Sequence, residues 1–205
     1  MTRARHAGPF LPVAALYEAN GRRGALRPGL YPVTRRRRLA GPAFPLLCGP
    51  GSNLEIHRAL YAAKAGEVLV IGQTRPSLHA LVGDLICDAA IVRRLGGLVI
   101  DGYVRDLADL EKLDLPIFCR GGSALGPSKI GAAGAGAKTR IRLCGVPIRR
   151  GDWMAGDPDG LVVLRRERRD EIFQRARERL KREKVIRQRL VRRKERLADI
   201  LGLKL

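Results

Sequence analysis

The sequence has few aromatic residues, no closely spaced cysteines and no long apolar run. Aromatic side chains make up 4% of the 205 residues, which leaves few rings for stacking on bases. The four cysteines, Cys48, Cys87, Cys119 and Cys144, form no C-x-x-C pair. We therefore expect buried, reduced thiols and neither a zinc site nor a disulfide framework. Because there is no run of 18 apolar residues and no charged-then-apolar leader, we expect a soluble cytoplasmic protein without a membrane partner.

Acidic residues are also scarce, and the net charge is +20. The excess lies at the two ends: residues 1–38 carry nine basic and one acidic residue, and residues 165–196 carry sixteen and six. Residues 39–164 are nearly neutral, with fourteen and twelve. Such a charge suggests nucleic-acid binding, but glutamates at helical spacings in the tail favour a solvated, arginine-rich helix. Specific nucleic-acid binding is not expected; the alternative is salt-sensitive, nonspecific RNA association through the basic ends.

The middle of the chain alternates between short apolar runs and amphipathic segments, which is typical of βαβ units. An apolar fraction of 45% is sufficient for one core. We therefore predict an α/β fold with helices packed on a sheet. The predicted strands are Glu67–Ile71, Leu98–Ile100, Pro116–Cys119, Ile141–Ile148 and Leu161–Leu164. The predicted helices are Val13–Glu18, a helix capped by Asn53 and running through Ala63, Asp84–Leu95 and Leu107–Lys112. The remainder before Cys48 is expected to be irregular, and residues 121–138 to form a surface loop.

The C-terminal segment from Arg165 to Ile200 has a helical pattern with a narrow apolar stripe. The stripe comprises Ile172, Ala176, Leu180, Ile186, Leu190 and Leu197. A long, highly charged helix gains little stability from facing water alone, so we expect the stripe to pack on a neighbouring subunit. The predicted organisation is a core over residues 1–164 and a basic helical tail over residues 165–205.

Three residues carry the candidate chemistry: Asp84, Arg105 and Asp106, with 20 residues between the first and the pair. Arg105 offers a fork of donors for a carboxylate or an enolate oxygen. Asp106 is a hard oxygen ligand of the kind that Mg²⁺ or Mn²⁺ prefers. Together they predict a site for a divalent cation beside a small anionic oxo acid. The alternative is that Asp84 is only an N-cap and that Arg105 and Asp106 form only a surface pair.

The start of the predicted helix adds an anion-binding element to this site. Gly83 gives close access to the backbone, and the amides of Leu85 and Ile86 have no acceptor within the helix. Free N–H donors at the positive end of a helix attract carboxylate and oxo groups. We therefore expect Gly83, Leu85 and Ile86 to contact the substrate.

At these residues the chain resembles the class II pyruvate aldolase family that includes 4-hydroxy-4-methyl-2-oxoglutarate aldolase and the regulator of ribonuclease activity A. The resemblance covers nearly the whole chain. Its motifs are Gly24–Gly29, Leu39–Ala43, Asn53–Leu60, the D-x20-R-D pattern of Asp84, Arg105 and Asp106, Gly151–Trp153, Gly156–Gly160 and Leu197–Leu203.

The resemblance implies a swivelling β/β/α domain that assembles into a trimer or a dimer of trimers, with active sites between subunits. In the family, the arginine matching Arg105 binds the oxo acid, the aspartate matching Asp106 approaches the metal, and that matching Asp84 holds metal-bound water. An acidic residue of a neighbouring subunit's tail completes the site. Glu183 is the candidate here and Glu178 the alternative.

The implied activity is retro-aldol cleavage of 4-hydroxy-2-oxo diacids to pyruvate, together with decarboxylation of oxaloacetate, with Mg²⁺ or Mn²⁺ as cofactor. A non-catalytic regulator that acts by protein contact is the alternative. We expect the turn Gly72–Ser77 and the loop Ser123–Lys138 to border the cleft and to influence substrate choice. His57 is expected to have a packing or capping role, and Lys129 to lie in a flexible loop.

Overall fold

The computed structural model describes residues 10–203 of the protein. Its helices are α1 Val13–Ala19, α2 Leu54–Ala62, α3 Asp84–Val92, α4 Leu107–Leu110, α5 Arg169–Arg192 and α6 Leu197–Leu201. Its strands are β1 Tyr31–Pro32, β2 Leu39–Cys48, β3 Val68–Gln73, β4 Ala80–Val82, β5 Gly97–Ile100, β6 Tyr103–Val104, β7 Ile117–Cys119, β8 Gly121–Gly122, β9 Gly136–Ala137, β10 Arg140–Leu143, β11 Val146–Arg149, β12 Trp153–Asp157 and β13 Gly160–Leu164. The predicted α/β fold class and the long C-terminal helix are confirmed.

A curled central sheet forms the core, with strand order β1-β7-β5-β3-β2-β12-β13 and β9 paired to β2. Strands β2, β3, β5 and β7 are parallel, whereas β12 and β13 are antiparallel to their neighbours. The parallel strands are almost fully buried, because helices and loops cover the sheet on both faces. Strands β4, β6 and β8 make a separate small parallel sheet beside it.

Several predictions of local structure are wrong. The stretch expected to be irregular contains β2, a ten-residue strand. Pro42 pairs with Trp153 and Pro45 with Val70, and the carbonyl of Pro45 accepts from the amide of Lys138 at 2.9 Å. Each proline therefore occupies a strand position at which no ladder hydrogen bond needs its missing N–H. The single strand predicted over Ile141–Ile148 is a hairpin, and β4 and β12 were not predicted as strands.

The C-terminal helix is also interrupted where a continuous helix was expected. It begins with a 3-10 turn at Arg166–Arg168, and α5 ends at Arg192 before α6 begins. Ile172 and Ala176 are fully buried against α1, β12 and β13 of the same chain. The first turns of the apolar stripe therefore pack within the subunit, contrary to the prediction, because α1 presents a complementary apolar face. Packing of the later stripe residues on a neighbour remains a prediction.

No helix among residues 10–203 is both long enough and apolar enough to cross a membrane.

Candidate active site

Two short parallel strands bring the predicted site residues together. Strand β4 pairs with β6, and the amide of Arg105 donates to the carbonyl oxygen of Val82 at 2.9 Å. The dipeptide Gly83–Asp84 follows β4, and Arg105 and Asp106 follow β6. Ligand sites in α/β proteins form where the carboxyl ends of parallel strands meet. Residues that are far apart in the sequence therefore share one edge of a small sheet.

Gly83 allows Arg105 and Asp106 to approach the start of α3. A Cβ atom at position 83 would lie 2.5 Å from Asp106 Oδ2 and 3.0 Å from Arg105 Nε. The backbone of Gly83 has a φ of −132°, which any residue can adopt. The requirement for glycine is therefore steric and comes from the Arg105–Asp106 pair.

Asp106 directs its carboxylate towards α3 and away from its own helix. Its Oδ2 accepts from the amide of Asp84 at 3.3 Å and pairs with Arg105 Nε at 3.2 Å. Its backbone is left-handed, with a φ of 61°, and its side chain does not cap α4. Aspartate tolerates this conformation better than most residues, and strained backbone often occurs at functional sites. The turn fixes the direction in which the carboxylate faces.

The backbone amide of Leu85 already donates a hydrogen bond within the protein. It donates to Asp84 Oδ1 at 2.7 Å, so the carboxylate of Asp84 occupies one of the two amides that we expected to bind an oxyanion. A substrate oxygen would reach the Leu85 amide only if Asp84 turned away. The side chain of Leu85 is 75% exposed.

These residues line a cleft of about 290 Å³. Its walls include Gly83, Asp84, Leu85, Ile86 and Arg105, together with Asn53, His57, Pro127 and Lys129. The guanidinium of Arg105 is reached from the opposite loop, because a Cβ at Gly126 would lie 3.7 Å from Arg105 Nη1. The volume is that of a small-molecule site. Of the six predicted substrate- and metal-binding residues, five line this cleft, and the sixth, Asp106, pairs with Arg105 at its wall.

Asn53 contributes a buried polar atom to the cleft that its place in the sequence did not indicate. Its side chain was expected to cap α2, but it makes no cap hydrogen bond. Asn53 is only 5% exposed, and its Oδ1 has no hydrogen-bond partner among the described residues. Leaving a buried acceptor unpaired is costly. The Asn53 oxygen is therefore suited to accept from a hydroxyl or water in the cleft.

His57 and Lys129 both line the cleft, a position that was not predicted for either residue. His57 lies one helical turn after Asn53 on α2 and is half-buried at the cleft wall, while Lys129 extends from the glycine-rich loop. The i, i+4 spacing of Asn53 and His57 was visible in the sequence and indicates a shared helix face. No local sequence pattern indicated that Lys129 would reach the cleft.

The turn Gly72–Ser77 does not border this cleft, contrary to our expectation. Gln73 and Ser77 line a neighbouring cavity of about 440 Å³, together with Asp101 and Arg120. The turn follows β3 in the central sheet, whereas the cleft lies at the ends of β4 and β6 in the small sheet. The loop after Ser123, in contrast, supplies Pro127 and Lys129 to the cleft.

The cysteines are buried thiols, as expected, apart from the half-buried Cys144. Burial, together with the nearby carboxylates of Asp88, Asp84 and Asp106, raises the pKa of Cys87 to about 12. Burial likewise raises the pKa of Cys48 to about 12 and that of Cys119 to about 11. Cys87 therefore stays protonated beneath the cleft and is a poor candidate for a nucleophile or a metal ligand.

The charges at the cleft are balanced, with Asp84 and Asp106 facing Arg105 and Lys129. Among residues 10–203, no three His, Cys, Asp or Glu side chains cluster as a metal cage. Mg²⁺ commonly binds through one or two carboxylates and retains several waters. The hydrogen bond and the ion pair of Asp106 both use Oδ2, which leaves its other oxygen for a cation. The donor set therefore fits a hydrated Mg²⁺ or Mn²⁺.

The two tail glutamates lie apart from the cleft of their own chain. Glu183 pairs with Arg179 at 3.0 Å, and Arg179 also reaches Glu18 of α1. Glu178 accepts from Gln174. Neither glutamate lines the cleft in one chain, so either could complete the site only from a second copy.

The fold and the site together define a class of protein: a mixed α/β domain with an arginine and two aspartates at the ends of parallel strands. The family model described as RraA-like (Aldolase/RraA) matches residues 13–163. The chain therefore belongs to the RraA-like family, and the resemblance found in its motifs is confirmed.

Relatives and solved structures agree with this assignment. A protein from Halalkalibacterium halodurans named "Putative 4-hydroxy-4-methyl-2-oxoglutarate aldolase" is 33% identical over 147 residues, covering 72% of this chain and 69% of the relative. The structure of an uncharacterized protein from Pseudomonas syringae pv. tomato has a TM-score of 0.81 at 25% identity and covers 92% of this chain and 88% of its own. The RNA-processing inhibitor RraA from Thermus thermophilis has a TM-score of 0.69 at 23% identity, with 75% and 92% covered, and shares the fold.

Proposed function

We propose that the protein is a divalent-metal-dependent carbon–carbon lyase. Its substrates would be 4-hydroxy-2-oxo diacids, cleaved to pyruvate by a retro-aldol reaction, and oxaloacetate, decarboxylated through the same pyruvate enolate. The observation that carries the proposal is the convergence of Arg105, Asp106 and Asp84 around Gly83, where a Cβ would displace the ion pair. The aldolase name of a relative at 33% identity supports the same chemistry.

Charge complementarity supports this substrate class. The cleft has two carboxylates and two cationic side chains, so a dication and a dicarboxylate can enter together without leaving net charge. Asp106, with Asp84 through water, would hold Mg²⁺ or Mn²⁺. When bound, such an ion supplies positive charge beside the oxo oxygen.

Arg105 is the proposed clamp. Its Nε is held by Asp106 at 3.2 Å, which orients the guanidinium and leaves its terminal nitrogens for the carboxylate and the C2 oxygen of the substrate. Preorganised donors of this kind stabilise the charge that develops on an enolate oxygen. The side chain is 48% exposed, so an incoming anion can reach it.

Asp84 is the proposed proton handler. In retro-aldol cleavage the C4 hydroxyl gives up its proton, the C3–C4 bond breaks, C4 becomes a carbonyl carbon, and the electron pair forms the pyruvate enolate. The enolate then takes a proton at C3 to give pyruvate. A carboxylate within reach of the hydroxyl can accept the first proton and return the second.

The remaining cleft residues select and position the substrate in this proposal. The unpaired Oδ1 of Asn53 would accept from a substrate hydroxyl, and Lys129 would attract the distal carboxylate. Ile86 and Leu85 would contact the substrate at the start of α3. Glu183 of a second copy, or Glu178 in its place, would complete the site in a trimer or hexamer.

A coupled assay for pyruvate tests the proposal. The purified protein with Mg²⁺ or Mn²⁺ should release pyruvate from 4-hydroxy-4-methyl-2-oxoglutarate or oxaloacetate, and a chelator should abolish the release. Arg105→Ala and Asp106→Ala should remove the activity. If no pyruvate forms with either metal, or Arg105→Ala retains the full rate, the lyase proposal is wrong.

A second candidate function is regulation of a partner protein by direct contact. The observation that favours it is a set of exposed apolar side chains on α2 and α3: Tyr61 is 72% exposed and Val92 79%. Such patches often mark protein interfaces. A pull-down that yields a stoichiometric protein partner, with binding retained in Asp106→Ala, would favour this function over catalysis.

A further inference from the structure

The basic residues of α5 are not used by the proposed site. Between residues 177 and 194 the chain carries ten basic and two acidic residues. Helix α5 has 24 residues, which corresponds to a rod of about 36 Å. So concentrated a charge on one rigid element needs an explanation beyond solubility.

One face of α5 collects basic side chains that have no carboxylate partner. Arg177, Lys181, Lys184 and Arg192 follow a spacing of four, three and eight residues, so they lie on one side of the helix. All four are exposed, and none forms an ion pair within the described residues. We call these four residues the basic stripe.

Outside the stripe, four arginines of α5 form ion pairs within the described residues, and Arg182 and Arg187 do not. Arg175 pairs with Glu171 at 2.8 Å and Arg179 with Glu183 at 3.0 Å. The stripe instead places like charges at positions i, i+3 and i, i+4, where they repel each other and destabilise the helix. A bound anion would relieve this repulsion.

The stripe faces away from the core of the subunit and from Glu183. Ile172 and Ala176 mark the buried face, and Glu183 lies on nearly the same side of the helix, whereas the stripe lies roughly opposite. Helix α5 can therefore present Glu183 to a second copy and the stripe to another partner at once.

The geometry favours an extended polyanion over a small anion or a membrane. From Arg177 to Arg192 the stripe spans about 22 Å, too far for one small anion. An interfacial membrane helix needs an apolar face free to enter lipid, but the apolar face of α5 begins with Ile172 and Ala176, which are fully buried within the subunit. A nucleic-acid duplex carries one charge per about 1.7 Å of its axis, so phosphates are available along the whole length of the stripe.

We propose that the basic stripe of α5 binds the phosphate backbone of double-stranded nucleic acid without regard to sequence. Aromatic residues make up only 4% of the chain, and Phe173 of α5 packs against Trp153 of β12. Few rings are therefore available to stack on unpaired bases. Binding rests on phosphate contacts alone, which favours duplex over single strand.

Fluorescence anisotropy with labelled duplexes of unrelated sequence tests the proposal on the full-length protein. Affinity should fall steeply as salt rises. Replacing the four stripe residues with Gln should weaken binding by roughly 100-fold and lower the slope of log K against log salt by about 3 to 4, because each phosphate contact contributes about 0.9. DNA and RNA duplexes of one length are measured in parallel.

A matched control removes the same charge elsewhere. Lys64, Arg75, Arg94 and Arg140 are exposed and lie outside α5, so their fourfold replacement by Gln gives the same net charge and should leave binding within a few-fold. Arg177→Lys with Arg192→Lys should retain binding, and circular dichroism should report unchanged helix content in all variants.

Three results would overturn the proposal. Equal losses in the stripe variant and the control would assign binding to net charge alone. Tighter binding of a single strand than of its duplex would exclude the duplex backbone as the partner. Stripe-dependent binding to anionic vesicles, without binding to nucleic acid, would assign the surface to a membrane. Pyruvate release is independent of all three, so the lyase proposal is tested separately.

Discussion

Charged side chains are arranged in opposite ways at the cleft and along α5. At the cleft, Arg105 is held by Asp106, Asp106 also accepts from an α3 amide, and the backbone of Gly83 closes over both. Along the basic stripe, the charges are exposed and have no carboxylate partner within residues 10–203. A site that must hold groups in fixed positions binds its charges into a network, whereas a surface that meets a long polyanion only needs charge density.

The largest expected effect tests whether pyruvate release depends on the Arg105–Asp106 pair. Arg105→Ala should lower kcat/KM for pyruvate release by about 1,000-fold, because a preorganised donor to the enolate oxygen is lost. Arg105→Lys should recover only part of the activity, since an ammonium cannot bind a carboxylate with two parallel hydrogen bonds.

Arg120→Ala is the matched control for this prediction. Arg120 also follows a parallel strand and pairs with an aspartate, Asp101, at 2.5 Å, but it lines the neighbouring cavity. Its replacement should change kcat/KM by less than about fivefold. Similar losses in both alanine variants would show that the cleft is not the reaction site.

The second prediction concerns the anchoring of α5. Ile172→Ala should lower the free energy of unfolding by about 3 kcal/mol, because Ile172 is fully buried among α1, β12 and β13. Val185→Ala, at a position 56% exposed on the same helix, should change it by less than about 0.5 kcal/mol. Urea denaturation measures both, and equal values would contradict the packing of the helix within one chain.

The third prediction tests the closure of Gly83 over the ion pair. Gly83→Ala should lower kcat/KM by about 100-fold, because a Cβ 2.5 Å from Asp106 Oδ2 must shift the pair, and misplacements of about 1 Å can cost this much. Gly131→Ala is the control, since its Cβ would meet only Leu54 Cδ2 at 3.8 Å. Full activity in Gly83→Ala would mean that the position of the pair does not matter.

The two regions also differ in how far the sequence predicts them. The grouping of Asp84 with Arg105 and Asp106 was predicted from the chemistry of the three side chains and from the family resemblance. Strands β4 and β6, whose ends bring them together, were not predicted. The C-terminal helix was predictable from its period. The packing of this helix on α1 was not predictable, because an apolar stripe does not indicate which surface covers it.

Other features depended on contacts that no local pattern reports. Pro42 and Pro45 concealed β2, because the whole sheet decides which strand positions need a backbone N–H donor. The burial of the unpaired Asn53 Oδ1 depends on the loop after Ser123, which packs over the start of α2. There the backbone amide of Asn53 donates to the carbonyl oxygen of Ser128 at 3.1 Å. The same closure brings Lys129 to the cleft from more than 20 residues away in the sequence.

The smallest expected effect concerns the burial of the Cys87 thiol beneath the cleft. Its ordinary pKa is 9.0 and its pKa in the folded protein is about 12. Between these values the unfolded chain loses the thiol proton while the folded chain keeps it, so the free energy of unfolding falls as pH rises. The contribution is fully present below pH 9, and one thiol accounts for about 1.4 kcal/mol per pH unit.

Cys87→Ala should therefore flatten the alkaline limb of the stability profile by about that slope between pH 9 and pH 11. Its profile should run parallel to that of the parent protein near pH 7, where neither thiol form changes. Cys144→Ala, at a half-buried position, should flatten the limb less. Parallel profiles for Cys87→Ala and the parent up to pH 11 would mean that water reaches this thiol, and the closed packing of α3 beneath Asp84 and Asp106 would then be wrong.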